Sequence, residues 1–219
     1  MKNIFGIYKP IGPTSHDMID KLRKITGIRK IGHAGTLDPL ASGVLVVAIG
    51  REGTKQLGTL MKMEKEYIAE IKLGETSTTD DEEGEKTKIQ ETRYNRPNRS
   101  QIQNIIKQFI GQVEQTPPIY SAIKIKGKSA YKYARAGQKI ELKPRIVEIK
   151  SIEILDYKWP VLKLKIVCGS GVYIRSLARD IGEKLKTGAY MAGLERIRVG
   201  EFDKKNSSTL EKFEKNWKN

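Results

Sequence analysis

Cysteine, histidine and tryptophan are scarce in this chain of 219 residues, which has one cysteine, two histidines and two tryptophans. A single cysteine, Cys168, excludes an intrachain disulfide and fits a reducing cytoplasm, and the apolar run before it favours a buried thiol over a nucleophile. Neither His16 nor His33 has a second histidine or a cysteine at ligand spacing, so we expect no metal site.

Long apolar runs are also missing. No stretch approaches the roughly 18 consecutive apolar residues that a membrane span needs. The first residues lead directly into strand-like sequence without the apolar region of a secretion signal. We therefore expect a cytoplasmic protein that does not bind a membrane.

Acidic residues are few compared with basic ones: 26 against 41, for a net charge of +15 and a pI near 9.7. The positive electrostatic field of such a chain favours a polyanionic partner, with nucleic acid as the first choice and an anionic membrane as the second. The charge is segregated, because residues 121–150 carry nine lysines and arginines against two glutamates, whereas residues 75–85 are acidic. This pattern suggests a basic binding face with an acidic loop kept away from it.

The hydrophobic periodicity mixes helices with strands of antiparallel type, which predicts an α+β fold. No glycine-rich loop of the dinucleotide or P-loop type is present. Predicted strands cover residues 4–8, 44–49, 65–73, 119–125, 146–155, 161–167 and 197–202, and predicted helices begin near residues 14, 54, 98, 130 and 172.

The segment from His33 to Gly43 is a candidate site, since a long glycine-containing loop before a buried strand is unusual without a function. Its alternative is a turn in which Asp38 caps local amides, and composition by itself favours that turn.

Near residue 170, a Gly-Ser-Gly turn opens a helix with Arg175 in its first turn, which suits a carboxylate or phosphate partner. An ordinary surface arginine is the equal alternative there. Tyr67 on a strand is by itself more typical of a core residue.

Basic residues alternate with tyrosines after residue 120, a pattern that suits RNA because cations bind phosphates and rings stack on unpaired bases. A solvated basic face is the alternative. The predicted RNA-binding cations of this segment are Lys124, Lys126, Lys128, Lys132 and Arg135.

Five motifs in the same order resemble the TruB family of tRNA pseudouridine-55 synthases. They are Gly-His-x-Gly-x-Leu-Asp-Pro-x-Ala-x-Gly at 32–43, Lys-Pro-x-Gly-x-Thr-Ser at 9–15, Lys-x-Tyr ahead of Leu-Gly at 65–74, Pro-Pro-x-Tyr-Ser-Ala-x-Lys at 117–124 and Gly-x-Tyr-Ile-Arg at 171–175. The resemblance runs from residue 4 to about residue 202.

The resemblance implies a pseudouridine-synthase fold, with a central, mostly antiparallel sheet flanked by helices, an active-site cleft and a basic RNA-clamping insertion at about 117–145. It implies a catalytic domain at 1–203 and leaves 204–219 as a short tail without a PUA-type domain. Two departures are Tyr190 where the family often has histidine and Glu195 where arginine is common.

The resemblance also implies site roles. Asp38 resembles the nucleophilic aspartate, Arg175 the arginine that pairs with it, and Tyr67 the tyrosine that stacks on the target base and is suspected as the base. His33 resembles the histidine that fills the gap left by the flipped nucleotide, and Tyr173 and Leu194 resemble residues of the uracil pocket. Lys9 joins the expected RNA contacts.

The implied activity is isomerisation of the T-arm uridine of tRNA, without metal or cofactor. The implied partner is the tRNA T-arm stem-loop, with no obligate protein partner, and a monomer is expected. A non-catalytic RNA-binding or RNA-folding protein is the alternative. A metal-dependent nuclease is less favoured, because the acids gather in a separate polar loop rather than on the basic face.

Overall fold

The computed structural model describes residues 3–89, 96–121, 123–125, 127–138 and 140–218. They form two compact units. The first unit comprises Met1–Ile68, Val167–Ser170 and Leu194–Asn219, and the second comprises Ala69–Ile166 and Gly171–Gly193. Within the described ranges, no helix has the length and apolar character needed to cross a membrane.

The strands and helices alternate irregularly along the chain. The strands are β1 (Ile4–Lys9), β2 (Ile31–His33), β3 (Ala41–Ile49), β4 (Lys65–Leu73), β5 (Glu75–Ser77), β6 (Lys86–Lys88), β7 (Gly111–Gln115), β8 (Lys124–Ile125), β9 (Lys128–Ser129), β10 (Arg145–Lys158), β11 (Val161–Cys168), β12 (Ala189–Val199) and β13 (Phe202–Asp203). The helices are α1 (Ser15–Thr26), α2 (Gly50–Thr54), α3 (Leu57–Met61), α4 (Arg99–Ile106), α5 (Ala130–Arg135), α6 (Ile174–Leu185) and α7 (Leu210–Lys218).

One nine-stranded sheet dominates the fold, in the order β1-β3-β12-β4-β11-β10-β7, with β2 added to β3 and β13 added to β12. Strands β4, β11 and β12 contribute residues to both units. The β1–β3 and β10–β7 pairs are antiparallel, whereas β12 pairs with β3 in parallel. The sheet is therefore mixed and flanked by helices, which confirms the α+β prediction.

The core of the first unit joins one face of β3 to helices α1 and α7, and the other face packs against a second cluster that includes Leu60 of α3. Ile7 of β1 and Leu45 of β3 are fully buried and belong to the same apolar cluster as Met18 of α1. Helix α1 begins at a capping box formed by Thr14 and ends at Gly27, whose φ of 72° is left-handed. Such a φ suits glycine because it has no Cβ.

Helix α7 was not predicted, because residues 204–219 were interpreted as a charged tail. Its apolar residues nevertheless recur at helical spacing, and Phe213 and Trp217 pack on Phe5 with ring centroids 5.2 and 6.1 Å away. The boundary near residue 203 stays a prediction, but the residues beyond it help to build the core of the first unit.

Several other predicted elements were misplaced. Among the described residues, the strand predicted at 119–125 is reduced to β8. The strand predicted near 197–202 is divided between the end of β12, which begins at Ala189 and ends before Gly200 with its φ of 55°, and the start of β13. The polar loop predicted at 74–86 contains β5 and the start of β6.

Candidate functional site

The Asp38 loop, defined as residues 34–40 between β2 and β3, lies in the first unit. Ser15 Oγ donates to the Leu37 carbonyl at 2.9 Å and accepts from the Leu37 amide at 2.8 Å. The Pro39 carbonyl accepts from the Gly12 amide at 2.9 Å, and the Asp38 carbonyl accepts from the Ala41 amide at 3.0 Å. The backbone on both sides of the half-buried Asp38 is therefore fixed.

Lys9 lies beneath this loop and is fully buried. Its ammonium donates to the carbonyls of Pro10 at 2.9 Å, Pro13 at 2.8 Å and, at 3.4 Å, Pro39. Burial lowers the pKa of Lys9 to about 8, although the negative charge of Asp38 opposes this decrease. Its side chain has no exposed surface, and its contact with RNA stays a prediction. Two of its hydrogen bonds go to the turn that follows β1, and the third and longest goes to the Asp38 loop.

Two functional candidates on β4 point to the same side, since Lys65 and Tyr67 are two residues apart and both are buried. The Lys65 ammonium donates to the carbonyls of Met61 and Met63 at 2.9 and 2.7 Å. Burial lowers the pKa of Lys65 to about 8. Burial also raises the pKa of Tyr67, and the neighbouring Arg196 opposes part of that increase. Tyr67 is thus a neutral phenol near the charge of Asp38.

His33 and Leu194 flank the Asp38 loop. His33 ends β2, and burial lowers its pKa, so the imidazole is neutral at neutral pH. Leu194 pairs with Ala41 in the parallel register of β12 and β3, which places it beside the end of the loop. The first unit therefore brings together four predicted site residues: His33, Asp38, Tyr67 and Leu194.

In the second unit, Arg175 lies in the first turn of α6 and is buried, so the surface-arginine alternative is wrong. Its guanidinium lies 3.3 Å from the carboxylate of the buried Asp81 and donates to the Tyr120 carbonyl at 2.8 Å. On the next turn of α6, Arg179 binds the Asp80 carboxylate at 2.8 Å. The acidic loop thus packs against α6 through two ion pairs. Sequence analysis could not assign these roles, since nothing local links the two segments.

Tyr173 immediately precedes α6, and its backbone is fixed by a buried amide side chain. Gln115 Nε2 donates to the Tyr173 carbonyl at 3.1 Å, and Gln115 Oε1 accepts from the Tyr173 amide at 2.8 Å. Ser176 Oγ donates to the Thr116 carbonyl at 2.8 Å. Gln115 was missed, because an isolated glutamine carries no sequence signal for such a contact.

The predicted RNA-binding cations of the second unit are exposed where the structure describes them, namely at Lys124, Lys128 and Lys132. Tyr120, at the start of this segment, is 38% exposed. Lys126 and the side chain of Arg135 lie outside the described residues. The exposed cations form a surface suited to phosphates.

Metal ligands do not cluster in the described part of the chain, where no group of three or more histidines, cysteines or acids could hold an ion. The absence of a metal or cofactor stays a prediction. The described side chains offer acid–base and carboxylate chemistry instead.

A sequence profile described as TruB family pseudouridylate synthase (N terminal domain) matches residues 23–174. The chain belongs to the TruB family of pseudouridylate synthases. A second profile, the tRNA pseudouridylate synthase B C-terminal domain, matches residues 175–219. In this TruB-family chain the two matched regions meet at Arg175.

Curated relatives support this membership along most of the chain. The tRNA pseudouridine synthase B of Clostridium novyi is 47% identical over 97% of this chain and 72% of its own length. Its namesake in Parabacteroides distasonis is 44% identical over 88% of this chain and 83% of its own length. The tRNA pseudouridine synthase B of Corynebacterium diphtheriae is 44% identical over 95% of this chain and 71% of its own length.

Solved structures support the fold. A Cbf5-Nop10-Gar1 complex contains a chain that is 30% identical with a TM-score of 0.74, covering 97% of this chain and 53% of that one. An archaeal box H/ACA sRNP Nop10-Cbf5 complex contains a chain that is 27% identical with a TM-score of 0.70. The match covers 98% of this chain and 53% of that one. This TruB-family chain therefore spans about half the length of those structural relatives, and its pseudouridine-synthase fold is confirmed. The cleft and the RNA-clamping insertion stay predictions.

Proposed function

We propose that this chain is a tRNA pseudouridine synthase that isomerises uridine 55 in the T-arm, with Asp38 as its catalytic carboxylate. The observation that carries this proposal is that relatives 44–47% identical over most of the chain are named tRNA pseudouridine synthase B. The motif residues of the Asp38 loop, Tyr67 and Arg175 are all present. A non-catalytic tRNA-binding role is not favoured, because the relatives are named as synthases.

The reaction needs no outside reagent. Uridine and pseudouridine are isomers: the bond from N1 to C1′ breaks, a bond from C5 to C1′ forms, the proton at C5 leaves and N1 gains a proton. The enzyme must hold the detached uracil, rotate it and rejoin it. A carboxylate adduct with Asp38 divides this sequence into easier steps.

The described contacts support separate roles for the site residues. The fixed backbone around Asp38 supports a carboxylate that is already oriented before the substrate arrives. The buried position of Tyr67 supports a role in stacking on the uracil. As the proposed base, Tyr67 gives its phenolic proton to the detached uracil at N1 and accepts the proton from C5, so that no proton is lost or gained overall. Arg175 is proposed to pair with Asp38 and to keep it ionised.

The substrate must expose its uridine from a folded loop, at a cost of roughly a few kcal/mol. His33 is proposed to occupy the space that the nucleotide leaves, and Tyr173 and Leu194 to line the uracil pocket. The exposed cations Lys124, Lys128 and Lys132 are proposed to bind the T-arm backbone and to offset this cost. We expect a cytoplasmic monomer that acts without an obligate protein partner.

The test is pseudouridine mapping on a T-arm stem-loop and on whole tRNA after incubation with wild-type protein or with Asp38→Asn. We expect product at the single T-arm uridine with wild type and none with the variant, while both bind RNA. Binding without product from folded wild-type protein on either RNA would sink the proposal and favour a binding protein.

A further inference from the structure

Among the described residues, Arg196 is the largest fully buried side chain, with 1% of its surface exposed. It lies on β12 in the first unit, and its guanidinium reaches beneath the Asp38 loop. Nε donates to the Val44 carbonyl at 2.8 Å, and the two terminal nitrogens donate to Gly35 at 3.0 Å and Thr36 at 3.4 Å. One side chain therefore binds the loop ahead of Asp38 and the strand that follows it.

The backbone brings Arg196 unusually close to this loop. Gly43 of β3 is the parallel partner of Arg196 and has a φ of 116°. A Cβ on Gly43 would lie only 2.2 Å from the Arg196 carbonyl oxygen, so the approach requires glycine. Near the start of the loop, a Cβ on Gly35 would lie 3.5 Å from a guanidinium nitrogen. The close approach therefore requires glycine at position 43, whereas a Cβ at Gly35 would make ordinary contact with the guanidinium.

The guanidinium of Arg196 donates to three neutral carbonyls, and its side-chain hydrogen bond with Tyr67 lowers the pKa of that phenol. The field of a buried charge extends to neighbouring ionisable groups. The charge of Arg196 acts on five titratable groups, namely Lys9, His33, Lys65, Tyr67 and Cys168, and the charge of Asp38 acts on Lys9 and Tyr67. Of these, Asp38 and Tyr67 are the two whose anionic forms serve the proposed reaction.

We propose that Arg196 is a positioning residue that fixes the Asp38 loop and places a permanent positive charge beside Tyr67 during isomerisation. This role rests on the proposed function. Arginine suits it better than lysine, because the rigid guanidinium donates to several carbonyls at once and keeps its charge when buried. Lys65 cannot substitute for Arg196, because its ammonium already donates to the carbonyls of Met61 and Met63.

The kinetic test compares Arg196→Met and Arg196→Lys in single-turnover isomerisation, with Arg198→Lys as control. Arg198 lies on the same strand but pairs with the carboxylates of Glu64 and Glu66. We expect the rate to fall about 100-fold in Arg196→Met and about tenfold in Arg196→Lys, with RNA affinity within about threefold of wild type. The control should keep the wild-type rate. A rate within threefold of wild type in folded Arg196→Lys overturns the positioning role.

A second readout is independent of activity. Tyrosines labelled with ¹³C at Cζ report ionisation, and the Tyr67 signal is assigned by its loss in Tyr67→Phe. We expect Tyr67 to titrate at a higher pH in Arg196→Met than in wild type. In Arg196→Lys, the pH at which Tyr67 titrates should be closer to that of wild type. Amide exchange at Leu37 and Ala41 should accelerate at least tenfold in both variants. Unchanged titration and unchanged exchange overturn the inference, even if wild type makes no pseudouridine.

If Arg196→Met does not fold, Arg196→Lys decides the question by the same three measurements. Loss of RNA affinity that matches the loss of rate would assign Arg196 to substrate binding and would also overturn the inference. If wild type lacks activity while the titration and exchange effects occur, the proposed function fails and the loop-fixing role stands.

Discussion

The Asp38 loop of the first unit and the basic segment of the second (residues 120–135) use positive charge in opposite ways. Lys9 and Arg196 are buried and donate to backbone carbonyls around the loop. Lys124, Lys128 and Lys132 are exposed. Buried cations shape a backbone and act on nearby ionisable groups, whereas exposed cations are free to exchange counterions for phosphates. Substitutions in the first region should therefore change the rate, and those in the second should change binding.

After Asp38→Asn, which should abolish product, Tyr67→Phe gives the largest expected effect in the first region. Removing the hydroxyl removes the proposed proton acceptor, so the single-turnover rate should fall about 1000-fold while RNA affinity is kept. Tyr8→Phe is the matched control, because it removes a hydroxyl that donates to Glu195 at 2.8 Å on β12. A Tyr67→Phe rate within tenfold of wild type would contradict the assigned role.

Replacing Lys124, Lys128 and Lys132 together by glutamine tests the second region. RNA affinity should fall about tenfold or more at low salt, and the slope of log affinity against log salt should become shallower by about 2. The rate at saturating RNA should not change. The control is a second triple variant, in which glutamine replaces three exposed lysines on α1 and α7: Lys21, Lys212 and Lys215. It changes the net charge by the same amount. Equal losses from both triple variants would mean that net charge, not this surface, governs binding.

Lys65→Met tests, through the pH dependence of stability, whether the cations of the first region are buried with lowered pKa values. The pKa of Lys65 is about 8 in the folded protein against an ordinary 10.5, so between these values the unfolded chain holds a proton that the folded protein has released. The unfolding free energy of wild type should therefore rise relative to Lys65→Met from pH 8 to 10, by about 1 kcal/mol per pH unit. Below pH 8 the difference should be constant.

Urea unfolding at pH 7, 8, 9 and 10 measures this difference, and the exposed Lys62→Met is its control. A difference for Lys65→Met that stays flat across the series, as expected for Lys62→Met, would show that burial does not depress the pKa of Lys65.

Asn98→Ala gives the smallest expected effect and lies outside both regions. Asn98 Oδ1 accepts from the Gln101 amide at 2.9 Å and caps α4. Losing this cap should lower the unfolding free energy by about 1 kcal/mol without changing rate or RNA affinity. Asn98→Ser keeps a capping oxygen and should restore most of the stability in urea unfolding. A change in rate with unchanged stability would contradict the separation of regions.

Local patterns predicted some elements well. The alternation of apolar residues gave β4 its bounds, Lys65–Leu73, and α5 was predicted at Ala130–Arg135. Helix α1 followed from its cap at Thr14 and its stop at Gly27. The short strands β2 and β5 were missed because three residues carry too little periodicity. Helix α7 was missed because its charged residues were given more weight than its apolar spacing.

The sequence by itself determined the α+β class, the basic character, the motifs of the TruB family and the candidates Asp38, Tyr67 and Arg175. Tertiary structure alone decided the partners of the buried arginines. Arg196 binds Val44 and Gly35, which lie 152 and 161 residues away, and Arg175 binds Asp81 across 94 residues. Hydrogen-bond partners, burial and shifted pKa values arise when strands and loops distant in sequence pack together, so no local pattern encodes them.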